Sequence, residues 1–267
     1  MDTQKLTDTV NQSGFPLQIG LTALIQNTTN EHGWKVSFVE HSWKSELDND
    51  SGFIDIVIEN KYSTSFMLIE CKRVLDSSWI FLVPKSKANP RRHAKAWVNS
   101  FAGNCFKHFC WADHSLDPVS YESEYCVVPG QDPKSKPMLE RVAADVVSAT
   151  EALALEQKDY QAQLKDPLRM YFSVIVTTAK LQVCAFESEK VSLVDGKVAD
   201  AEFTEVPFVR FRKQLSTRPA SVPLTVVDGF YGFVRAKEHT VFVVNAEALP
   251  DFLATFEVDN KALRPFL

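Results

Sequence analysis

Glycine is scarce in this chain, at nine residues of 267, and no apolar run approaches the roughly 18 residues that a membrane-spanning helix needs. The opening stretch, Met1 to Gly14, is polar, so no secretory leader is expected. Cysteines number only five, an odd count at irregular spacing. That argues against a disulfide framework and makes a reducing cytoplasm the default compartment. Several catalytic signatures are missing. There is no G-x-S-x-G, no P-loop and no G-x-G-x-x-G, and His32, His41, His93, His108, His114 and His239 form no H-E-x-x-H. Basic charge is also in deficit, with 29 Lys and Arg against 34 Asp and Glu, a net charge of -5. A protein that coats a nucleic-acid backbone carries local positive charge. The balance therefore argues against a large DNA-coating surface, but not against a cleft in which carboxylates hold a cation.

What is present is ordinary globular material, 45% hydrophobic and 24% charged. Leu17, Leu21, Leu24 and Ile25 recur at helical spacing and predict a helix over Phe15 to Thr28, with Ser13 as N-cap and Pro16 in the first turn. Trp34 to Trp43 reads as a strand, Glu46 to Gly52 as an acidic loop, and Phe53 to Ile58 and Ser65 to Cys71 as two more strands. Lys85 to His93 begins as a basic loop, Ala94 to Cys110 reads as a helix, and Asp113 to Pro137 as a long connection. Met138 to Leu164, free of Gly and Pro, is the strongest helix, closed by Pro167. Tyr171 to Thr177 and Leu181 to Phe186 follow as strands, and Asp195-Gly196 signals a hairpin within Ser192 to Phe203. Pro207 to Phe211 and Thr240 to Val244 read as strands, Arg212 to Pro223 as a possible linker, and Ala246 to Phe256 as a closing helix.

The chemistry lies in two strands. Phe53-Ile54-Asp55-Ile56-Val57-Ile58 is apolar on both faces except for one carboxylate, which is costly unless a cation or donors compensate it. Phe66-Met67-Leu68-Ile69-Glu70-Cys71-Lys72 is again apolar, and Glu70 and Lys72, two apart, share a face. If the strands pair, Asp55 comes near Glu70. Two carboxylates suit a hard divalent cation, and the ammonium can orient a water and stabilise charge developing on phosphorus. Acid-x-Lys alone carries little information. It recurs at Glu59, Asp132, Glu156, Asp195 and Asp259, but only at 70–72 does it end a buried strand.

An Asp-bearing apolar strand, fourteen residues, then Glu-x-Lys, preceded by a helix and a strand, resembles the PD-(D/E)XK nuclease superfamily. The resemblance covers about Phe15 to Arg73. It implies a restriction-endonuclease-like α/β core, with a central mixed β-sheet flanked by helices. The helix at 138–164 and the strand at 171–177 would complete that core. The chain then divides as one domain, 1–267, with its core at about 15–73 and 138–186, a large central insertion at about 77–137 and a β-rich C-terminal extension at about 187–267. In the superfamily the Asp and Glu bind Mg²⁺ or Mn²⁺ and the Lys assists the attacking water; these roles carry to Asp55, Glu70 and Lys72. The family's proline is replaced by Ile54, and its first-helix Glu has no counterpart, since that helix offers only Gln18 and Gln26. Gln18, through its carbonyl, and Glu40 are the possible additional contributors. The implied activity is phosphodiester hydrolysis, of DNA ahead of RNA, without a membrane, with a homo-oligomer or a defence-system protein as possible partner.

Three further readings complete the expectations. Lys85, Lys87, Arg91, Arg92 and Lys95, with Lys107 and His108 extending them, could contact nucleic-acid phosphates; the alternative is a solvated loop. Cys105, His108, Cys110 and His114, followed by Cys126, have zinc-ligand chemistry at a spacing that fits no common template, and the aromatics among them favour packing. Phe230, Tyr231 and Phe233 could stack on bases or fill a core. The rivals to a nuclease are a catalytically degenerate nuclease-fold scaffold subunit of a defence or repair complex, and a zinc-stabilised interaction module.

Overall fold

The structure is a computed structural model that describes residues 2–45, 50–75, 77–131, 136–216 and 229–266. Three helices, α1 (Thr3–Gln12), α2 (Phe15–Asn27) and α3 (Thr29–His32), lead into β1 (Trp34–Lys44), β2 (Ser51–Asn60) and β3 (Ser65–Lys72). Next come β4 (Ser78–Pro84), β5 (Arg91–Ala102), β6 (Cys105–Ser120), β7 (Glu122–Ser123) and β8 (Tyr125–Val127). The helices α4 (Met138–Glu156) and α5 (Lys158–Leu164) precede β9 (Leu168–Thr177), β10 (Lys180–Phe186), β11 (Glu202–Val206) and β12 (Phe208–Lys213). The chain then runs through α6 (Gly229–Ala236), β13 (His239–Asn245), α7 (Leu249–Thr255), β14 (Glu257–Val258) and α8 (Asn260–Leu263).

The architecture is α/β, a mixed and curled sheet flanked by helices. Its main path runs β1-β2-β3-β9-β13-β12-β7, and β5, β6 and β14 bring the sheet to ten strands. Strand β2 runs antiparallel to both β1 and β3, and β9 returns parallel to β3 after the crossover through α4. A parallel return requires such a long connection. A second sheet, of four strands, runs β11-β10-β4-β8.

The position of β9 explains its composition. It pairs β3 along one edge, while β13 takes Ser173 to Thr177 and β5 takes Leu168 to Tyr171 on the other. Every residue of β9 is buried, and the side chains divide by alternation. Tyr171 and Ile175 join the cluster under α4, whereas Met170, Phe172, Val174 and Val176 join the cluster under α2 and α7. Helix α4 presents Leu139, Val142, Val146, Thr150 and Leu153 to the sheet, an apolar stripe at spacings of three and four.

Several sequence expectations need correction. Ala94 to Cys110 is not a helix but most of the β5–β6 hairpin, turning at Gly103 and Asn104, both with positive φ (59° and 65°). Gly-Asn is the two-residue hairpin signal that decides the local structure. Residues Ala94 to Ser100 are all buried, so the apolar side chains serve two faces and give a misleading helical count. About half of the supposed connection from Asp113 is strand, through Ser120 and then β7 and β8. The predicted helix 138–164 is two helices, broken at Gln157, whose side chain turns inward to accept from Arg169 Nη1 and Tyr171 OH. Asp195-Gly196 makes a tight turn without a hairpin around it, because Leu193 and Val194 stand almost fully exposed and no strand pairs across. Ser13 does not cap α2: Gly14 does, while Ser13 Oγ donates to the Val10 carbonyl at the end of α1. Neither α1 nor β4 was anticipated; α1 buries no side chain at all. The segments 46–49 of the acidic loop and 217–223 of the linker reading lie outside the described residues.

Candidate functional site

The candidate site forms where β2 and β3 part. Their pairing runs from Glu59↔Phe66 to Ile56↔Ile69 and stops there. Beyond that point β2 stays with β1 as far as Ser51↔Lys44, while β3 stays with β9 as far as Lys72↔Thr177. The two arms diverge, with Asp55 on one and Glu70 and Lys72 on the other. Alternation also breaks at this fork. Ile54 and Val57, three apart, both pack under α4, whereas Ile56 and Ile58 pack under α2. The break turns the Asp55 carboxylate towards β3, where Oδ2 accepts the Cys71 backbone N–H at 2.6 Å.

Glu70 follows Phe66 and Leu68 on the α4 face of β3, and its Oε1 accepts from Lys72 Nζ at 2.7 Å. Burial raises the Asp55 carboxyl above its ordinary range, against the Cys71 N–H and the Lys72 charge, and Glu40 adds to the rise. Burial likewise raises Glu70, with the charge of Asp55 as the next cause, against its bond to Lys72. On balance both carboxyls are raised, although the Lys72 ammonium opposes the rise at each. Cys71 is buried in the cluster under α2 with its thiol in reach of Asp55; burial, then the charges of Asp55 and Glu70, push that thiol up, so it is no nucleophile.

A cleft of about 260 Å³ opens beside Glu70. Trp43, Phe53 and Ile54 wall it from the β1–β2 arm, and Asp145 and Val146 from α4. Gly52 lies against the Trp43 ring, where an added Cβ would sit 3.2 Å from Nε1. Asp145 was not singled out from the sequence. It lies on a strongly helical run at the edge of the apolar stripe, where an acid reads as a solvated position. Burial raises its carboxyl too, against Lys72, Arg141 and Lys136.

Gln18 and Glu40 do reach this place. Gln18 is 6% exposed, and its Nε2 donates to Glu40 Oε1 at 2.5 Å and to the Asp55 carbonyl at 3.2 Å. Both partners are acceptors, which fixes the amide orientation. The expectation that Gln18 would face the site through its carbonyl is therefore corrected: it presents its amide nitrogen.

The basic run does not form one surface. Lys95 is 3% exposed; it donates to the Arg235 carbonyl and lies 4.0 Å from Asp113, so it cannot touch a phosphate. Lys85 pairs with Glu202 and Arg92 with Asp117, while Lys87 and Arg91 are exposed. Lys107 is exposed, and His108 bonds Ser100. The cysteine and histidine set disperses as well: Cys105 is exposed at the hairpin end, Cys110 and His114 are buried on β6, and Cys126 lies in the other sheet. The side chains of 230, 231 and 233 on α6, and the acid-x-Lys copy at 132–134, lie outside the described residues.

Among the described residues, no group of three or more His, Cys, Asp or Glu side chains is close enough to hold a metal ion. A closed zinc-type cage is not required here, since Mg²⁺ is held by one or two carboxylates and keeps several waters. The donor set of Asp55 and Glu70, oxygen only and raised by burial, fits such an ion. Among the same residues no helix is long and apolar enough to cross a membrane. Comparison of the chain with family models, curated proteins and solved structures finds no match.

Proposed function

We propose that this chain is a metal-dependent nuclease of the PD-(D/E)XK type, hydrolysing phosphodiester bonds of DNA with Mg²⁺ or Mn²⁺ in a reducing cytoplasm. The observation that carries the reading is the fork: where two strands separate, Glu70 lines a cleft, Lys72 is bonded to it, and Asp55, held by the Cys71 N–H, lies near enough for its charge to raise Glu70. The order helix, three antiparallel strands, crossover helix, parallel strand supports the restriction-endonuclease-like core that the resemblance implies. Asp55 and Glu70 would hold the cation. When bound, it supplies polarisation of the phosphate and eases deprotonation of water. Lys72 is tethered by Glu70, which lines the cleft, and would donate to an attacking water and to the charge that develops on phosphorus. Water would add to phosphorus and lose a proton to solvent, while the bond to the leaving oxygen breaks and that oxygen takes up a proton from solvent.

The test is cleavage of double- and single-stranded DNA, with RNA for comparison, under Mg²⁺ and under EDTA. Glu70→Ala and Lys72→Ala should each lower the rate by about 10²-fold or more, the scale of losing a catalytic donor or base. Undiminished cleavage by Glu70→Ala would place the reaction elsewhere. A second reading, a scaffold subunit that binds without cutting, is favoured by one observation, the Gln18 amide where the superfamily puts a first-helix carboxylate. DNA binding without cleavage under either metal would select it.

A further inference from the structure

We infer that Asp145 is the second acceptor for the Lys72 ammonium: Lys72 rests on Glu70 in the metal-free protein and passes to Asp145 once Glu70 is engaged by a divalent cation. The inference rests on the nuclease reading and concerns how the state of the site controls its lysine.

Glu70 has two duties at the fork. It lines the cleft, and its Oε1 accepts from Lys72 Nζ at 2.7 Å. The duties conflict when Glu70 also holds a cation, because a dication and an ammonium on one carboxylate repel each other. Lys72 cannot answer the conflict by withdrawing into the sheet. It ends β3, paired with Thr177 of β9, and its side chain is 33% exposed. It needs another acceptor on the open side of the fork.

Asp145 is the acid placed to receive it. Helix α4 carries it to the wall of the cleft that Glu70 lines, and its neighbours Val142 and Val146 are packed in the core, which fixes that position. Among the described residues the Asp145 carboxylate accepts no hydrogen bond and enters no ion pair. Arg141, at the i, i+4 spacing on the same helix, is the ordinary partner for such an acid. Yet Lys72 comes ahead of Arg141, and Lys136 behind both, among the positive charges that act on the Asp145 carboxyl. Asp145 acts in turn on Glu70, after Asp55. Lys72 is thus in electrostatic reach of two acids on one cleft, bonded to the first and unbonded to the second. Asp50, also on the cleft wall, opposes the ionisation of Asp145, and an arriving ammonium relieves that cost.

The test labels the lysines of the full chain with limiting acetic anhydride and reads Lys72 by peptide mass spectrometry, in EDTA and under saturating Mn²⁺. Titration calorimetry of Mn²⁺ and circular dichroism run beside it. The proteins are wild type, Asp145→Asn, Asp145→Glu and Asp50→Asn. Asp145 is exposed, so its variants keep the fold. In EDTA all four should label Lys72 alike, because Glu70 holds it. Under Mn²⁺, Asp145→Asn should label Lys72 about tenfold faster than wild type, the effect of about one pKa unit on the free amine. Asp145→Glu and Asp50→Asn should stay near wild type. Mn²⁺ binding to Asp145→Asn should persist, weakened by about tenfold at most. Equal labelling of wild type and Asp145→Asn under Mn²⁺, in a chain that binds the ion and cleaves DNA, would overturn this inference and leave the nuclease reading standing. Equal release by Asp50→Asn would reduce the effect to general cleft charge and overturn it too. So would loss of Mn²⁺ binding in Asp145→Asn, since Asp145 would then act on the ion and not on Lys72. A wild-type chain that binds no Mn²⁺ and cleaves nothing would overturn both readings.

Discussion

Glu70 costs the metal-free protein stability at neutral pH, and the sign follows from its surroundings. Burial, then Asp55, raise its carboxyl in the folded chain. The folded state therefore holds a proton to higher pH than the unfolded chain does, and stability falls as pH rises through that window. Glu70→Gln should raise the thermal midpoint of the metal-free protein by about 2 °C or more near pH 7. The gain should disappear as pH falls below the ordinary carboxylate range, roughly 4. Added Mg²⁺ should then favour the wild type, which alone gains from binding. Calorimetric melts with and without Mg²⁺ measure this; a lower midpoint for the variant in EDTA would mean that the charge is compensated without a cation. The same physics made Asp55, Glu70 and Lys72 legible in the sequence, because charges inside or at the end of apolar strands demand a reason. It failed for Lys95, where a lysine in a basic run looked solvated although its strand neighbours are all buried. It failed also for Asp145, which no local pattern separates from a surface acid.

At the scale of elements, α4 carries Asp145 to the cleft and is fastened to β9 by one buried hydroxyl pair. Thr150 Oγ1 lies 2.8 Å from Ser173 Oγ and donates to the Val146 carbonyl, and both residues are fully buried. Thr150→Val keeps the shape but leaves the Ser173 hydroxyl without this partner. It should cost about 1–3 kcal/mol in urea unfolding, the desolvation penalty of an unmade bond. A loss within error of zero would show that Ser173 finds another acceptor. The helices at the fork were readable from their 3.6 period, and β2 and β3 as short apolar runs bounded by polar turns. The β5–β6 hairpin was not, since burial on both faces erases alternation, and only Gly103-Asn104 marked it. The fork itself was invisible in the sequence. Nothing local records where β2 stops pairing with β3, because that follows from β1 and β9 pulling the two arms apart.

For the molecule as a whole, the question is what ties the late segments to the early ones. An ion cluster does so across β5, β6 and β12 and the end of α6. Arg212 donates from Nη1 to Asp113 at 2.8 Å and from Nε to Glu238 at 2.7 Å, with the buried Lys95 nearby. Burial alone would raise the Asp113 carboxyl, but Arg212 and Lys95 overrule it and hold it below the ordinary range. Asp113 thus stays ionised to lower pH in the folded chain than in the unfolded one. Its contribution is full above the unfolded carboxyl value and is lost as pH falls through the folded value. Asp113→Asn should cost about 2 kcal/mol near pH 7, below the roughly 3–5 kcal/mol of a fully buried pair because the Asp113 side chain is 39% exposed. The wild-type advantage should shrink steadily in melts taken from about pH 7 to about pH 3, the opposite trend to that of Glu70→Gln. One chain thus carries two carboxylates of opposite linkage. Asp113 is answered by internal cations and stabilises the fold, while Glu70 lines a cleft with its carboxyl raised. A uniform acid response of the two variants would remove that contrast, and with it the electrostatic case for a cation at the fork.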